Sequence, residues 1–129
     1  MAHAEPGARR WLLLGDMLEL GIYAPSEHAL VGASAAMSVD ELVLVGDAVW
    51  TAAEGAHGAG MPADCIHLYP APLQDHKALA AAHVAAAAYV REHLKPEDLV
   101  LVKGSLGAGM DALVRALTTQ EAPVPEAEA

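Results

Sequence analysis

Apolar residues in this chain come in two rhythms. Residues 10–14 (RWLLL), 41–45 (ELVLV), 65–69 (CIHLY) and 98–102 (DLVLV) are short, nearly continuous apolar runs, the pattern of strands covered on both faces. Residues 26–37, 48–56 and 75–94 are longer and alanine-rich, with larger apolar side chains interspersed, and predict helices. A further helix is predicted over 110–117. Ser26, after Pro25, is placed to cap the first helix, and Gly55, Gly58 and Gly60 supply the stop of the second. Strands separated by helices of this length imply right-handed βαβ crossovers. The expectation is an α/β, Rossmann-like three-layer domain, its mostly parallel sheet carrying helices on both faces.

The first and last strands each run into a glycine-rich loop: GDMLELG from Gly15 to Gly21, and KGSLGAGMD from Lys103 to Asp111. In open α/β sheets ligands bind at the carboxyl ends of the strands, which makes these loops the candidate site. Gly104, Gly107 and Gly109 allow close backbone approach, and the N–H groups ahead of the last helix suit an anion. Lys103 adds a cation and Ser105 a hydroxyl. The spacing fits neither a Walker loop nor GxGxxG, so a tight βα turn and an anion cradle both remain open. In the first loop, Asp16 either caps its turn or orients a ligand amine, and Glu19 either does the same or is solvated.

Composition narrows the field. The 129 residues suffice for one domain, expected over residues 9–119 with flexible ends at 1–8 and 120–129. The formal charge of −10, partly carried by the Pro/Ala/Glu-rich end, argues against nucleic acid and anionic membranes, because no basic stripe is present to neutralise phosphates. The short leucine run cannot span a bilayer, no signal peptide is visible, and the single cysteine, Cys65, suits a reducing cytoplasm and is expected to pack as a small apolar residue on a strand. Seven histidines lack metal-ligand spacing, so no metal site is expected. His28, in the helix after the first loop, is the one placed near the candidate site. No nucleophile elbow is present.

Four stretches taken together resemble the C-terminal domain of the Mur ligases: GDMLELG after an apolar strand, a helix with EHALVG, the strand ELVLVG, and LVLVKGS followed by Met-Asp and LVRAL. The resemblance covers residues 9 to 117 and is greatest to members that add D-alanyl-D-alanine to UDP-N-acetylmuramoyl-tripeptide in peptidoglycan synthesis. It implies an ATP- and Mg²⁺-dependent peptide ligase acting through an acyl phosphate, in which this domain closes over a central ATPase domain and helps hold the incoming dipeptide. Lys103, Gly104 and Ser105 match the element facing the cleft, with Ser105 implied to meet the dipeptide carboxylate; Asp16, Glu19 and His28 match the cleft edge. Leu106 stands where the family usually has Arg, removing a bidentate carboxylate or phosphate partner. The chain lacks the family's Walker-type loop, central-domain metal ligands and N-terminal UDP-sugar domain, so it is not expected to catalyse alone or to bind ATP or Mg²⁺ by itself. The alternatives are a non-catalytic module capturing a carboxylate or other anion, and a decayed remnant.

Overall fold

A computed structural model describes residues 8–16, 24–72 and 74–104. Four strands and three helices alternate along them: β1 (Arg10–Leu14), α1 (Ala24–Ala36), β2 (Glu41–Gly46), α2 (Val49–Gly58), β3 (Ile66–Pro70), α3 (His76–His93) and β4 (Leu99–Lys103), with a 3₁₀ turn over Ala63–Cys65 before β3. The sheet is parallel throughout, in the order β3-β2-β1-β4. The three-layer α/β expectation therefore holds, and the helix expected over 110–117 lies outside the described residues.

Strand β1 explains the continuous apolar runs. Trp11 and Leu13 join Val43 and Val45 of β2 against Leu79, Ala86, Ala87 and Val90 of α3. Leu12 and Leu14 point the other way and join Leu42 and Leu44 against Ala35, Val49, Ala52 and Ala56 of α1 and α2. With both faces covered, polar side chains in the central strands are confined to their first positions, Arg10 and Glu41. Each leucine or valine buried this way contributes roughly 1.5–3 kcal/mol. On the edge strand β4, Val100 and Val102 face the α3 layer, whereas Leu99 and Leu101 remain exposed, Leu101 by 50%.

Local chemistry moves several boundaries. Helix α1 starts at Ala24, so Ser26 lies inside it and does not cap it; Pro25 falls in the first turn, where a missing N–H costs nothing. Gly55 does not stop α2, which runs on to Gly58; Gly60, at φ 108°, makes the turn beyond it. Cys65 sits in the 3₁₀ turn, half-buried against the α1/α2 core, and not on a strand. At the start of α3, Asp75 accepts the Ala78 N–H at 3.0 Å, a local N-cap.

Gly55 and Gly32 have another task. A Cβ on Gly32 would collide with the backbone carbonyl of Ala52, and one on Gly55 with that of Ala29. Helices α1 and α2 thus meet backbone to backbone, at a separation only glycine permits.

The amino ends of the strands are stitched by carboxylates. Asp40 accepts the Arg10 backbone N–H at 2.8 Å and its Nε–H at 3.3 Å. Asp98 accepts N–H groups from Arg9 (2.9 Å), Lys95 (3.0 Å) and the Trp11 indole (3.1 Å). Slight burial works to raise both pKa values, but these hydrogen bonds outweigh it and hold both below the ordinary aspartate value of 3.8. Buried Glu41 accepts from the Arg9 guanidinium and, at 2.6 Å, from His67 Nε2–H. The Tyr89 ring lies between those of His67 and His93, with centroids 4.5 and 4.1 Å away. Burial, then the nearby His93 and Arg9, lower the His67 pKa below 6.5, with Asp64 pulling weakly the other way.

Two outcomes are expected. Gly32→Ala or Gly55→Ala should each cost about 2 kcal/mol or more in urea unfolding through overpacking against backbone. Gly58→Ala, where an added Cβ meets nothing within 4 Å, should be neutral or slightly stabilising. Because the fold favours neutral His67, the unfolded chain takes up its proton first as pH falls below 6.5. Stability should therefore decline from there, by at most about 1.4 kcal/mol per pH unit for one proton. Asp40 and Asp98 add a second loss below 3.8. Urea unfolding between pH 8 and 5 should show a flatter profile for His67→Gln than for the unmutated chain.

Candidate functional site

The order β3-β2-β1-β4 means that the chain winds outward from β1 to β3, then crosses the whole sheet through α3 to place β4 on the other side of β1. The strand order reverses between β1 and β4, and the crevice for a ligand in such a sheet lies beyond the carboxyl ends at that point. The two glycine loops meet there. Leu14 pairs with Lys103 in register, and the next residue, Gly15, donates its N–H to the Lys103 carbonyl at 2.8 Å. The two motifs farthest apart in the described chain are thus neighbours.

Lys103 ends β4 with its side chain exposed, free of the apolar layers and projecting from the sheet face opposite α3. Gly104 follows at φ 154°. This pair brings a cation and a glycine backbone to the crevice. Ser105 and Glu19, with Gly107, Gly109 and Leu106, lie outside the described residues.

Asp16 is different in kind. It is 3% exposed, and its carboxylate receives two backbone N–H groups: Asp47 to Oδ2 at 2.9 Å and Ala48 to Oδ1 at 2.8 Å. These amides form the turn between β2 and α2. Of the two readings open for Asp16, the geometry supports a cap, but the turn it caps is 31 residues away. No sequence-local rule points to that partner. His28, also 3% exposed, lines the same narrow space with Asp16, Gly15, Leu14, Leu44 and Ala48. Sequence reasoning placed both residues near the crevice; the structure buries both behind its rim.

Two features were missed. Gly46 takes φ 120°, and a Cβ there would stand 2.5 Å from Asp16 Oδ2; its only signal was a glycine closing a strand. Trp50, in the first turn of α2 at this same end of the sheet, is 63% exposed. Among the described residues no three His, Cys, Asp or Glu side chains gather as a metal site requires, and no helix is long and apolar enough to cross a membrane.

Comparison with known proteins agrees with this arrangement. Residues 1–106 match the family model "Mur ligase, glutamate ligase domain". The UDP-N-acetylmuramoyl-tripeptide–D-alanyl-D-alanine ligases of Mycobacterium tuberculosis and Mycobacterium bovis are each 36% identical over 135 residues, covering 94% of this chain and 24% of theirs. That of Synechocystis is 33% identical over 116 residues, covering 89% of this chain and 22% of its own. A crystal structure of MurF from Acinetobacter baumannii superposes with a TM-score of 0.61 at 25% identity, over 84% of this chain and 22% of that one. The chain spans about a quarter of the length of the relatives it matches. Its motifs, its sheet and its match over most of its length agree: the chain belongs to the Mur ligase family and is a C-terminal domain of the MurF type.

Proposed function

We propose that this domain supplies the dipeptide-holding wall of a ligase that joins D-alanyl-D-alanine to UDP-N-acetylmuramoyl-tripeptide in peptidoglycan synthesis. The observation that carries the reading is the bond from Gly15 N–H to the Lys103 carbonyl, which brings both family motifs to one crevice at the switch point of the sheet. Lys103 attracts the dipeptide carboxylate as a mobile point charge. The backbone from Gly104 onward approaches the same group, and Ser105 donates its hydroxyl. Asp16, Glu19 and His28 belong to the edge of this cleft.

The reaction in the complete ligase would use ATP and Mg²⁺. The residues described here do not form a site for the metal: both Asp16 oxygens are committed to backbone amides, and Lys103 and Gly104 are not cation ligands. Nucleotide and metal are therefore assigned to a central ATPase domain, and the UDP-sugar to an N-terminal domain, both partners of this one. The charge developing on the reacting phosphoryl group would be stabilised there. This chain's share is to orient the attacking amine by fixing the opposite end of the dipeptide, which lowers the entropic part of the barrier. With Leu106 in place of arginine, that anchoring rests on Lys103 and the loop donors, and the affinity should be modest.

Calorimetric titration of the chain with D-alanyl-D-alanine tests the reading. Binding is expected, with Lys103→Ala raising Kd about tenfold at low salt, the size of one lost charge-assisted hydrogen bond, and the difference shrinking as salt rises. Ser105→Ala should weaken binding further. Mixing the chain with separately made sugar-binding and ATPase domains should yield ATP-dependent ligation. A folded chain that binds no dipeptide and restores no ligation would leave the decayed remnant as the answer.

A further inference from the structure

We infer that Asp16 is a positioning residue, which sets where Lys103 and Gly104 stand by tying the end of β1 to the turn between β2 and α2, and does not itself meet a ligand. Its importance for binding rests on the function proposed above; the tie itself does not.

Three observations carry it. Both carboxylate oxygens are already used, by Ala48 N–H at 2.8 Å and Asp47 N–H at 2.9 Å, on a side chain only 3% exposed. Bonds from N–H groups to an ionised oxygen are about twice as strong as neutral ones, so a ligand would have to break the better contact to make its own. Next, the end of β2 is shaped around this carboxylate. Gly46 sits at φ 120°, and any Cβ would lie 2.5 Å from Oδ2. Finally, the residue before Asp16 holds β4: Gly15 N–H donates to the Lys103 carbonyl at 2.8 Å. The turn before α2, the end of β1 and the end of β4 are therefore linked in series through two consecutive residues.

The same geometry decides which loop is available to an anion. The N–H groups of Asp47 and Ala48 lead into α2, and such a helix start would ordinarily attract a negative charge. Asp16 fills that place from within the domain. An external carboxylate or phosphate is thereby directed to the β4 side of the crevice, where Lys103 stands exposed.

Amide NMR of the full 129-residue chain tests this. In Asp16→Asn one of the two acceptors becomes a donor. The Asp47 and Ala48 amide protons should move upfield, and at least one should exchange with solvent tenfold faster or more. The Lys103 and Gly104 amides, on the far side of β1, should shift as well. Gly46→Ala, with Asp16 intact, should reproduce the pattern; Asp75→Ala, which removes the cap of α3, should not. If Asp16→Asn fails to fold, Gly46→Ala and the slow exchange expected of both amides in the unmutated chain still decide. Changes confined to Asp47 and Ala48 would overturn the proposal and leave Asp16 a local cap. So would a dipeptide-induced shift of the Asp16 carboxyl carbon with both amides unmoved, which would make it a ligand contact. Titration with D-alanyl-D-alanine should show Kd raised threefold or more by Asp16→Asn. If the unmutated chain binds no dipeptide, the proposed function fails, while the amide signature still judges the tie.

Discussion

Strand β1 is sealed between two helical layers and flanked by a partner on each side, so water reaches it only at its ends. The backbone groups that emerge there must find partners within the protein, because a buried N–H without an acceptor costs about as much as a hydrogen bond contributes. Carboxylates solve this at both ends. Asp40 and Asp98 receive the N–H groups of Arg10 and Arg9 at one, and Asp16 ties the other to the turn after β2. Asp40 and Asp16 join β1 to the two ends of β2, and Asp98 joins it to the start of β4. The strand is thereby held lengthwise as well as between the layers.

The two ends nevertheless serve different purposes. At the amino end the polar groups are locked into one another: Arg9, Glu41 and His67 in one cluster, Tyr89 and His93 stacked beside them. Little there is left to offer a ligand. The carboxyl end carries one closed junction, around Asp16 and Gly46, and one open position, at Lys103 and Gly104. Rigidity beside openness is what a binding wall requires, since a donor held in place spends less entropy when the ligand arrives.

The elements themselves were legible because both strand and helix signals are local. Four apolar runs became four strands, and the alanine-rich stretch from 75 to 94 became α3 within a residue at each end. The Asp75 cap is equally local, reaching three residues forward. What could not be read are the bonds that close over distance. Asp16 meets Asp47, Arg9 meets Asp98 across 89 residues, and Glu41 meets His67 across 26; no spacing rule connects such pairs. Ser26 was misplaced because a capping residue after proline is a common pattern, and here the backbone entered the helix two residues sooner. Gly32 and Gly55 look like weak helix residues in isolation, and only the neighbouring helix gives them a reason. The candidate site was legible in part. The loops are legible from their glycines, whereas their adjacency comes from the crossover, and Asp16 stays open between a turn cap and a ligand group because an aspartate at a strand end offers no hint of a partner 31 residues away.

The two tryptophans divide the molecule optically. Trp11 is 1% exposed, bonded to Asp98 and edge-on to Tyr89 at the closed end, while Trp50 stands 63% exposed beside the open one. Their emission therefore reports on two separate events. A collisional quencher reaches Trp50 in the native chain and reaches Trp11 only after the layers part. Anything that covers the carboxyl ends would change the red-shifted component alone, and the blue-shifted one serves as an internal standard for an intact fold.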